Sequence, residues 1–363
     1  MRVPFARAVV VLTAVLAVGC GGNLSNSSPE PSPGPTCPTS GPADSVGCWQ
    51  AILPLGSGGF PDTPGSQDTP LWKPGTFPLT LTPRLAFNDS LWMTAQTRAY
   101  SSPDGLTWTE HKKTDWGERI YHSIIYFEGR LWMYGGLDYQ TGRFLNDVWS
   151  SSDGVNWANV GTAAWPARGG QTVVVYHGRL WLFGGADQVA RDRSTEGFLN
   201  DVWVSDNGTD WTQVADAAPW SPRDKAGVVV FDDALYVVGG PGMADVWRSA
   251  NGRDWTRLVA AADWEPRHDF GQAVLDGKLW VFGGWTGRST NALNDVWYSG
   301  DGVTWKRQTD RAPWAPRAPT ATIAFQDKIW IYSGKHTGFD DNWGGDLWQM
   351  TSSTPTTRKP MPR

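Results

Sequence analysis

Thr172-Val173-Val174-Val175-Tyr176-His177-Gly178-Arg179-Leu180-Trp181-Leu182-Phe183-Gly184-Gly185 is an apolar, β-branched run, a short polar turn and a second apolar run that ends on paired glycines. Both runs are too short for helices and too continuously apolar for half-exposed strands, so they read as strands covered on both faces. His177-Gly178 is the signal of a tight hairpin between them. The paired glycines lower strand propensity and mark a place where the chain bends or another backbone comes close. Downstream, Asn200-Asp201-Val202-Trp203 marks a third strand, and the segment Ser205 to Trp211 turns the chain at Asn207-Gly208 into a fourth.

This unit recurs. Trp132, Trp181, Tyr236, Trp280 and Trp330 each follow an arginine by 13 residues, namely Arg119, Arg168, Arg223, Arg267 and Arg317. Tyr100, Trp149, Trp203, Trp247 and Trp297 each precede a second tryptophan by 8 residues. Only the connection between second and third strands changes: Trp132 to Trp149 spans 17 residues, Trp181 to Trp203 spans 22 and Tyr236 to Trp247 spans 11. A constant frame with one variable loop per unit is the pattern of a scaffold that presents a binding surface.

Four antiparallel strands in repeats of 44 to 55 residues, without helical periodicity, describe the blades of a β-propeller. The Gly-Gly doublet followed by a spaced aromatic resembles the kelch-repeat family. The Ser-x-Asp/Asn-Gly-x-x-Trp hairpins at Ser102, Ser151, Ser205, Ser249 and Ser299 resemble the Asp-box of sialidase-type propellers, one residue shorter. The expected fold is therefore all-β, a six-bladed β-propeller of four-stranded antiparallel blades over residues 44–354. The last blade lacks its outer tryptophan, because position 356 is Thr. The segment around Trp49 is expected to supply that outer strand and close the ring. A seventh blade drawn from residues 56–75 is the lesser alternative, since that stretch is too rich in Pro and Gly for four strands.

Ahead of the repeats, Arg2 and Arg7, the apolar run Ala8 to Val18 and Ala17-Val18-Gly19-Cys20 read as an export signal over residues 1–19, too short to span a bilayer. The tetrad resembles a bacterial lipobox, which implies acylation of Cys20; a soluble secreted protein is the alternative. Acylation leaves Cys37 and Cys48 as a pair able to form a disulfide in an oxidising compartment. Residues 20–43 read as a disordered tether and residues 355–363 as a disordered tail. The expected location is the cell envelope, lipid-anchored and facing the periplasm or exterior. A net charge of -5 without a basic cluster argues against nucleic acid. The 24 tryptophans fall mostly at repeat positions and so read as packing.

Because strands alternate in direction, the variable connections gather on one face and the tight hairpins on the other. By resemblance to kelch propellers, Arg119, Arg168, Arg223, Arg267 and Arg317 would ring the mouth of the central channel on the variable face, suited to a carboxylate or sulfate. The alternative reading gives these arginines to backbone carbonyls or to the third-strand aspartates. Trp285 and Trp343, with Tyr139, Phe144, Phe198 and Phe339, are candidate stacking surfaces.

Two enzyme classes share such propellers. Galactose oxidase needs a Tyr-Cys cross-link, and the repeats contain no cysteine. Sialidase-type hydrolysis needs an arginine triad, a Tyr-Glu pair and an acid; Glu118, Tyr121, Glu265 and Asp269 lie beside the arginines without forming an evident pair. Asp340-Asp341 to Asp346 matches no defined calcium loop. The resulting expectation is a monomeric, non-catalytic module for a glycan or protein, with no cofactor and no metal, a carbohydrate-active enzyme being the alternative.

Overall fold

A computed structural model describes residues 48–53, 81–95, 98–105, 107–192, 195–287, 291–318, 321–336 and 343–351. All of these fall in one compact unit, Cys37–Arg363. The signal segment, Cys20, the tether, Cys37, Phe339, Asp340, Asp341 and the tail lie outside the described residues.

The chain folds into six antiparallel sheets. Blade 1 holds β2 (Leu81–Phe87), β3 (Ser90–Ala95), β4 (Arg98–Ser102) and β5 (Thr109–Lys113). Blade 2 holds β6 (Arg119–Ile120), β7 (Ser123–Phe127), β8 (Arg130–Asp138), β9 (Phe144–Ser151) and β10 (Ala158–Thr162). Blade 3 runs through β11 (Thr172–Tyr176), β12 (Arg179–Ala186), β13 (Phe198–Ser205) and β14 (Trp211–Ala215). Blade 4 has β15 (Gly227–Phe231), β16 (Ala234–Gly240), β17 (Met243–Ser249) and β18 (Thr256–Val259). Blade 5 has β19 (Gly271–Leu275), β20 (Lys278–Thr286), β21 (Asn291–Ser299) and β22 (Trp305–Thr309). Blade 6 has β23 (Arg317–Ala318), β24 (Ala321–Phe325), β25 (Lys328–His336) and β26 (Trp343–Thr351).

The fourth strand of blade 6 comes from the other end of the chain. β1 (Cys48–Leu53) pairs antiparallel with β26, Cys48 opposite Thr351 and Trp49 opposite Met350, as the missing outer strand requires. The first strands of the blades then touch in one closed cycle, β2 against β7, β7 against β11, β11 against β15, β15 against β19, β19 against β24 and β24 against β2. Six blades complete the ring. The structure adds what the repeat pattern did not contain: β6 and β23 are two-residue strands that pair with the far ends of β8 and β25.

Burial falls off outward from the second strands. Leu131 to Gly136 in β8 and Leu180 to Ala186 in β12 are buried throughout, whereas every residue of the outer strand β10 is exposed. The apolar core is accordingly a set of layers between neighbouring blades; Phe127, Trp132, Tyr134 and Val148 of blade 2 pack against Leu180, Leu182, Trp203 and Trp211 of blade 3.

Two repeated contacts account for the tryptophans and for the turn glycines. Each tryptophan preceding a repeated arginine packs edge-on against the tryptophan that opens the outer strand of the same blade: Trp116 on Trp157 at 4.6 Å, Trp165 on Trp211 at 6.3 Å, Trp220 on Trp255 at 6.1 Å and Trp264 on Trp305 at 5.7 Å. In blade 6 Trp49 takes this position, 6.0 Å from Trp314 with the rings at 78°. Between blades, the glycine of each outer hairpin rests on the second-strand aromatic of the preceding blade. A Cβ on Gly154 would lie 2.5 Å from Trp92, on Gly208 2.8 Å from Trp132, on Gly252 2.0 Å from Trp181 and on Gly302 2.6 Å from Tyr236. Gly105 closes the series across the seam, where a Cβ would lie 2.6 Å from Trp330 of blade 6.

Antiparallel order places the connections between second and third strands on one face. Residues 187–197 make the longest of them in the described part, built on two 3-10 turns, Gln188–Asp192 and Thr195–Gly197. The opposite face carries short hairpins such as Glu128-Gly129 and His177-Gly178, where Glu128 and His177 take left-handed backbone angles of φ 49°.

Candidate functional site

The repeated arginines are internal. Arg168 is fully buried and grips Asp201 in a bidentate pair, Nη1 to Oδ1 at 2.6 Å and Nη2 to Oδ2 at 2.7 Å. Its Nη1 also donates to the carbonyl of Gly184 at 3.0 Å, and Trp203 Nε1 donates to Asp201 Oδ2 at 2.7 Å. The same device joins Arg119 to Asp147 and Gly135, Arg223 to Asp245 and Gly239, and Arg267 to Asp295 and Gly283. Arg317 is equally buried, with Nε donating to Ala315 O at 2.9 Å.

At Gly135, Gly184 and Gly283, the first glycines of three doublets, the next blade's arginine carbonyl leaves no room for a side chain. Gly184 has φ 51°, and a Cβ there would come within 2.8 Å of the Arg223 and Leu199 carbonyl oxygens. These ion pairs cross-brace the first, second and third strands. Removing one partner of such a buried pair costs about 3–5 kcal/mol, because the other charge is left without compensation. The reading that rings an open mouth with guanidinium groups is corrected on this point: Arg119, Arg168, Arg223 and Arg267 face aspartates inside the blades, and Arg317 is equally buried.

Trp285 is also interior, 4% exposed, and its backbone exchanges hydrogen bonds with His268 at 2.9 and 3.1 Å. It therefore offers no stacking surface. Trp343 begins β26, and its side chain lies outside the described residues. Tyr139, in the connection after β8, is 55% exposed.

A different set of side chains meets at the axis. The second residue after each of Arg119, Arg168, Arg223 and Arg267 leads into the first strand and takes a left-handed backbone: Tyr121 at φ 60°, Gly170 at 67°, Lys225 at 49° and Asp269 at 48°. Only glycine adopts this region without cost, so tyrosine and lysine are held there by their surroundings. Gly170 N donates to Tyr121 O at 2.9 Å and Lys225 N to Gly170 O at 2.9 Å, which links three blades through their backbones. Gly170 also leaves room for its neighbours, since a Cβ there would lie 3.3 Å from Asp224 Cβ and 3.4 Å from Lys225 Cγ.

Across that space Lys225 of blade 4 places Nζ 4.4 Å from the ring centre of Tyr121 in blade 2 and 3.1 Å from Asp269 Oδ2 in blade 5. Groups from blades 2 and 5 meet one lysine only near the axis. His268 Nδ1 lies 3.2 Å from the same Asp269 oxygen, and its Nε2 lies 3.0 Å from the carbonyl of Gly287 in the variable connection of blade 5.

Burial disfavours the Lys225 ammonium, but Asp269, Tyr121 and Asp224 outweigh it and hold the amine protonated well above the ordinary lysine range. Burial likewise opposes ionisation of Asp269; Lys225 and His268 overcome it and keep the carboxyl well below its usual range. His268 is raised, the bond and charge of Asp269 exceeding the burial cost, whereas burial dominates at Asp224 and raises it. The cluster remains open to solvent: Lys225, Asp269 and His268 side chains are 22%, 33% and 17% exposed.

Of the acids beside the arginines, Tyr121 and Asp269 reach this cluster through Lys225. Glu118 and Glu265 meet their surroundings through backbone carbonyls, Glu118 O accepting from Tyr139 N and Glu265 O from Arg267 Nε. Neither Lys225 nor Asp224 belongs to a repeated motif of the sequence. Their signal is a break in periodicity, because the three residues after each arginine differ from blade to blade within a frame that otherwise repeats. No group of three or more metal-binding side chains occurs among the described residues.

A family profile described as the Kelch motif matches residues 266–298, the span from the arginine of blade 5 to its third strand. No curated protein matches the chain. Among 491 matching solved chains, one titled "Structure of YjhT" superposes with a TM-score of 0.64 at 17% sequence identity, covering 76% of this chain and 96% of its own. That likeness is one of fold. The chain is a six-bladed β-propeller that carries a kelch motif in its fifth blade.

Proposed function

We propose that this propeller is a non-catalytic binding module, exported and lipid-anchored at Cys20, which as a monomer takes a glycan or protein ligand on its loop-rich face. One observation carries the reading: the ionisable cluster at the axis and the connections of variable length share a face, while the opposite face is built from short hairpins. A rigid frame that varies only where its loops surround a partly exposed polar cluster suits recognition. The export and lipobox signals around Cys20 support the anchor.

The test is an array of glycans and peptides probed with the full chain. At least one class should bind, and shortening residues 187–197 to the two-residue connection of blade 4 should weaken it, while replacing Glu128-Gly129 should not. Binding that ignores the shortened loop, or no binding at all, would overturn the assignment. Cys20→Ser should move the chain from the membrane to the soluble fraction. A carbohydrate-active enzyme has one observation in its favour, the gathering of four groups with shifted protonation at one accessible point; steady turnover of a saccharide by the full chain would establish it instead.

A further inference from the structure

Resting on the binding-module reading, the axial cluster narrows the ligand to one chemical class. We propose that Lys225, Asp224, His268 and Asp269, beside Tyr121, form a polar floor for a neutral, polyhydroxylated group, the ring of an uncharged sugar.

Charge limits the ligand first. Both ring nitrogens of His268 face acceptors, Asp269 Oδ2 at 3.2 Å and Gly287 O at 3.0 Å, an arrangement that favours the doubly protonated ring. With His268 protonated and Asp224 ionised, two cations, Lys225 and His268, stand against two carboxylates, Asp224 and Asp269. A balanced set has no surplus charge with which to hold an ion. The guanidinium groups that would supply a positive excess are paired inside the blades. A cation fares no better, because Asp269 already receives an ammonium at 3.1 Å and an imidazole.

Hydrogen bonding limits it further. An ammonium has three N–H donors and a carboxylate only acceptors. Lys225 directs one donor at Asp269 and lies over Tyr121, and both charged side chains keep part of their surface in water. A hydroxyl accepts from one such group and donates to the other, so neighbouring hydroxyls on one ring satisfy the ammonium and carboxylate edges together. Ions and apolar groups do not.

Preorganisation favours a small rigid ring. The left-handed residues Tyr121, Lys225 and Asp269 are fixed by the surrounding blades, and the backbone bonds through Gly170 tie blades 2, 3 and 4 together. A floor already in place loses little freedom on binding a small rigid ring.

Saturation-transfer NMR and calorimetry on the full chain, with galactose, glucose, N-acetylglucosamine and their disaccharides set against glucuronate, galacturonate and acidic peptides, test this. Neutral saccharides should bind with an affinity unchanged between low and high salt. Lys225→Met and Asp269→Asn should each weaken that binding roughly tenfold or more, with the circular dichroism spectrum retained. Should Lys225→Met fail to fold, Asp269→Asn and Tyr121→Leu decide. Preference for the uronates, binding of peptides alone, or neutral-sugar affinity indifferent to Asp269→Asn would overturn the ligand class and leave the module reading in place. Silence toward every member of the panel would remove the module reading itself.

Discussion

Burial, reinforced by the charge of nearby Arg119, pushes the His122 imidazole down to about 3 from its ordinary 6.5, so that it is neutral in the fold. A base depressed on folding contributes stability that is complete above pH 6.5 and is lost as the pH falls from there toward 3, where the unfolded chain binds a proton and the folded one does not. His268 has the opposite sign: its raised value gives stability present below the ordinary 6.5 and lost as the pH rises through the folded value. Thermal melts of His122→Gln between pH 7 and 5 should therefore decline less steeply than those of the parent chain; equal slopes would show that His122 does not govern this range. Residue identity was only half legible in the sequence. The arginine and aspartate of each blade recur with fixed partners in the repeat, but whether the guanidinium turns inward or toward a ligand depends on depth, which spacing does not encode. Lys225 and Gly170 were harder still, since a contact between blades 2 and 4 joins residues 104 positions apart, from Tyr121 to Lys225.

At the level of the hairpin, the outer turn is a self-contained unit. Ser151 Oγ accepts from Gly154 N at 2.8 Å, Asp153 Oδ1 accepts from Val155 N at 2.8 Å and Asn156 N at 2.7 Å, and Trp157 Nε1 donates to Gly154 O at 3.0 Å. Its glycine serves a second purpose in seating the blade on its neighbour, and two alanine substitutions separate the two. Gly129 has φ 78° with nothing near a prospective Cβ, so Gly129→Ala should cost only backbone strain, about 1–2 kcal/mol. Gly252 has φ 72° and a prospective Cβ 2.0 Å from Trp181, so Gly252→Ala should add overpacking of about 1–3 kcal/mol more. Chemical denaturation of the pair reads the difference, and equal losses would mean that the blade seam is soft. Strands and tight turns were readable because apolar runs and Asp-Gly or Asn-Gly pairs act locally. The two-residue strands β6 and β23 were not, because two residues have no period and their pairing is imposed by the far ends of β8 and β25.

For the molecule as a ring, the join is made by Trp49, 5% exposed, which packs on Trp314 and lies 5.7 Å from Phe282 of the preceding blade. Truncating so large a buried ring to alanine typically costs about 3–5 kcal/mol. Trp49→Ala should lower the melting temperature and release amide protection in β1 and β26 first, measured by hydrogen exchange; uniform loss across all blades would instead show that the ring opens as one unit. Closure was legible from a deficit, an outer tryptophan missing at one end of the chain and a lone Trp49 at the other. The variable connections were legible as lengths only.

The direction of that closing strand has a consequence for access. Cys48 stands opposite Thr351, where the third strand of blade 6 ends on the side of the tight turns, and the chain runs from there toward the loops. A leash joined ahead of Cys48 would hold the disc from its underside at the rim. Under the proposed anchoring, a bilayer reached from that edge would leave the polar floor facing away from it.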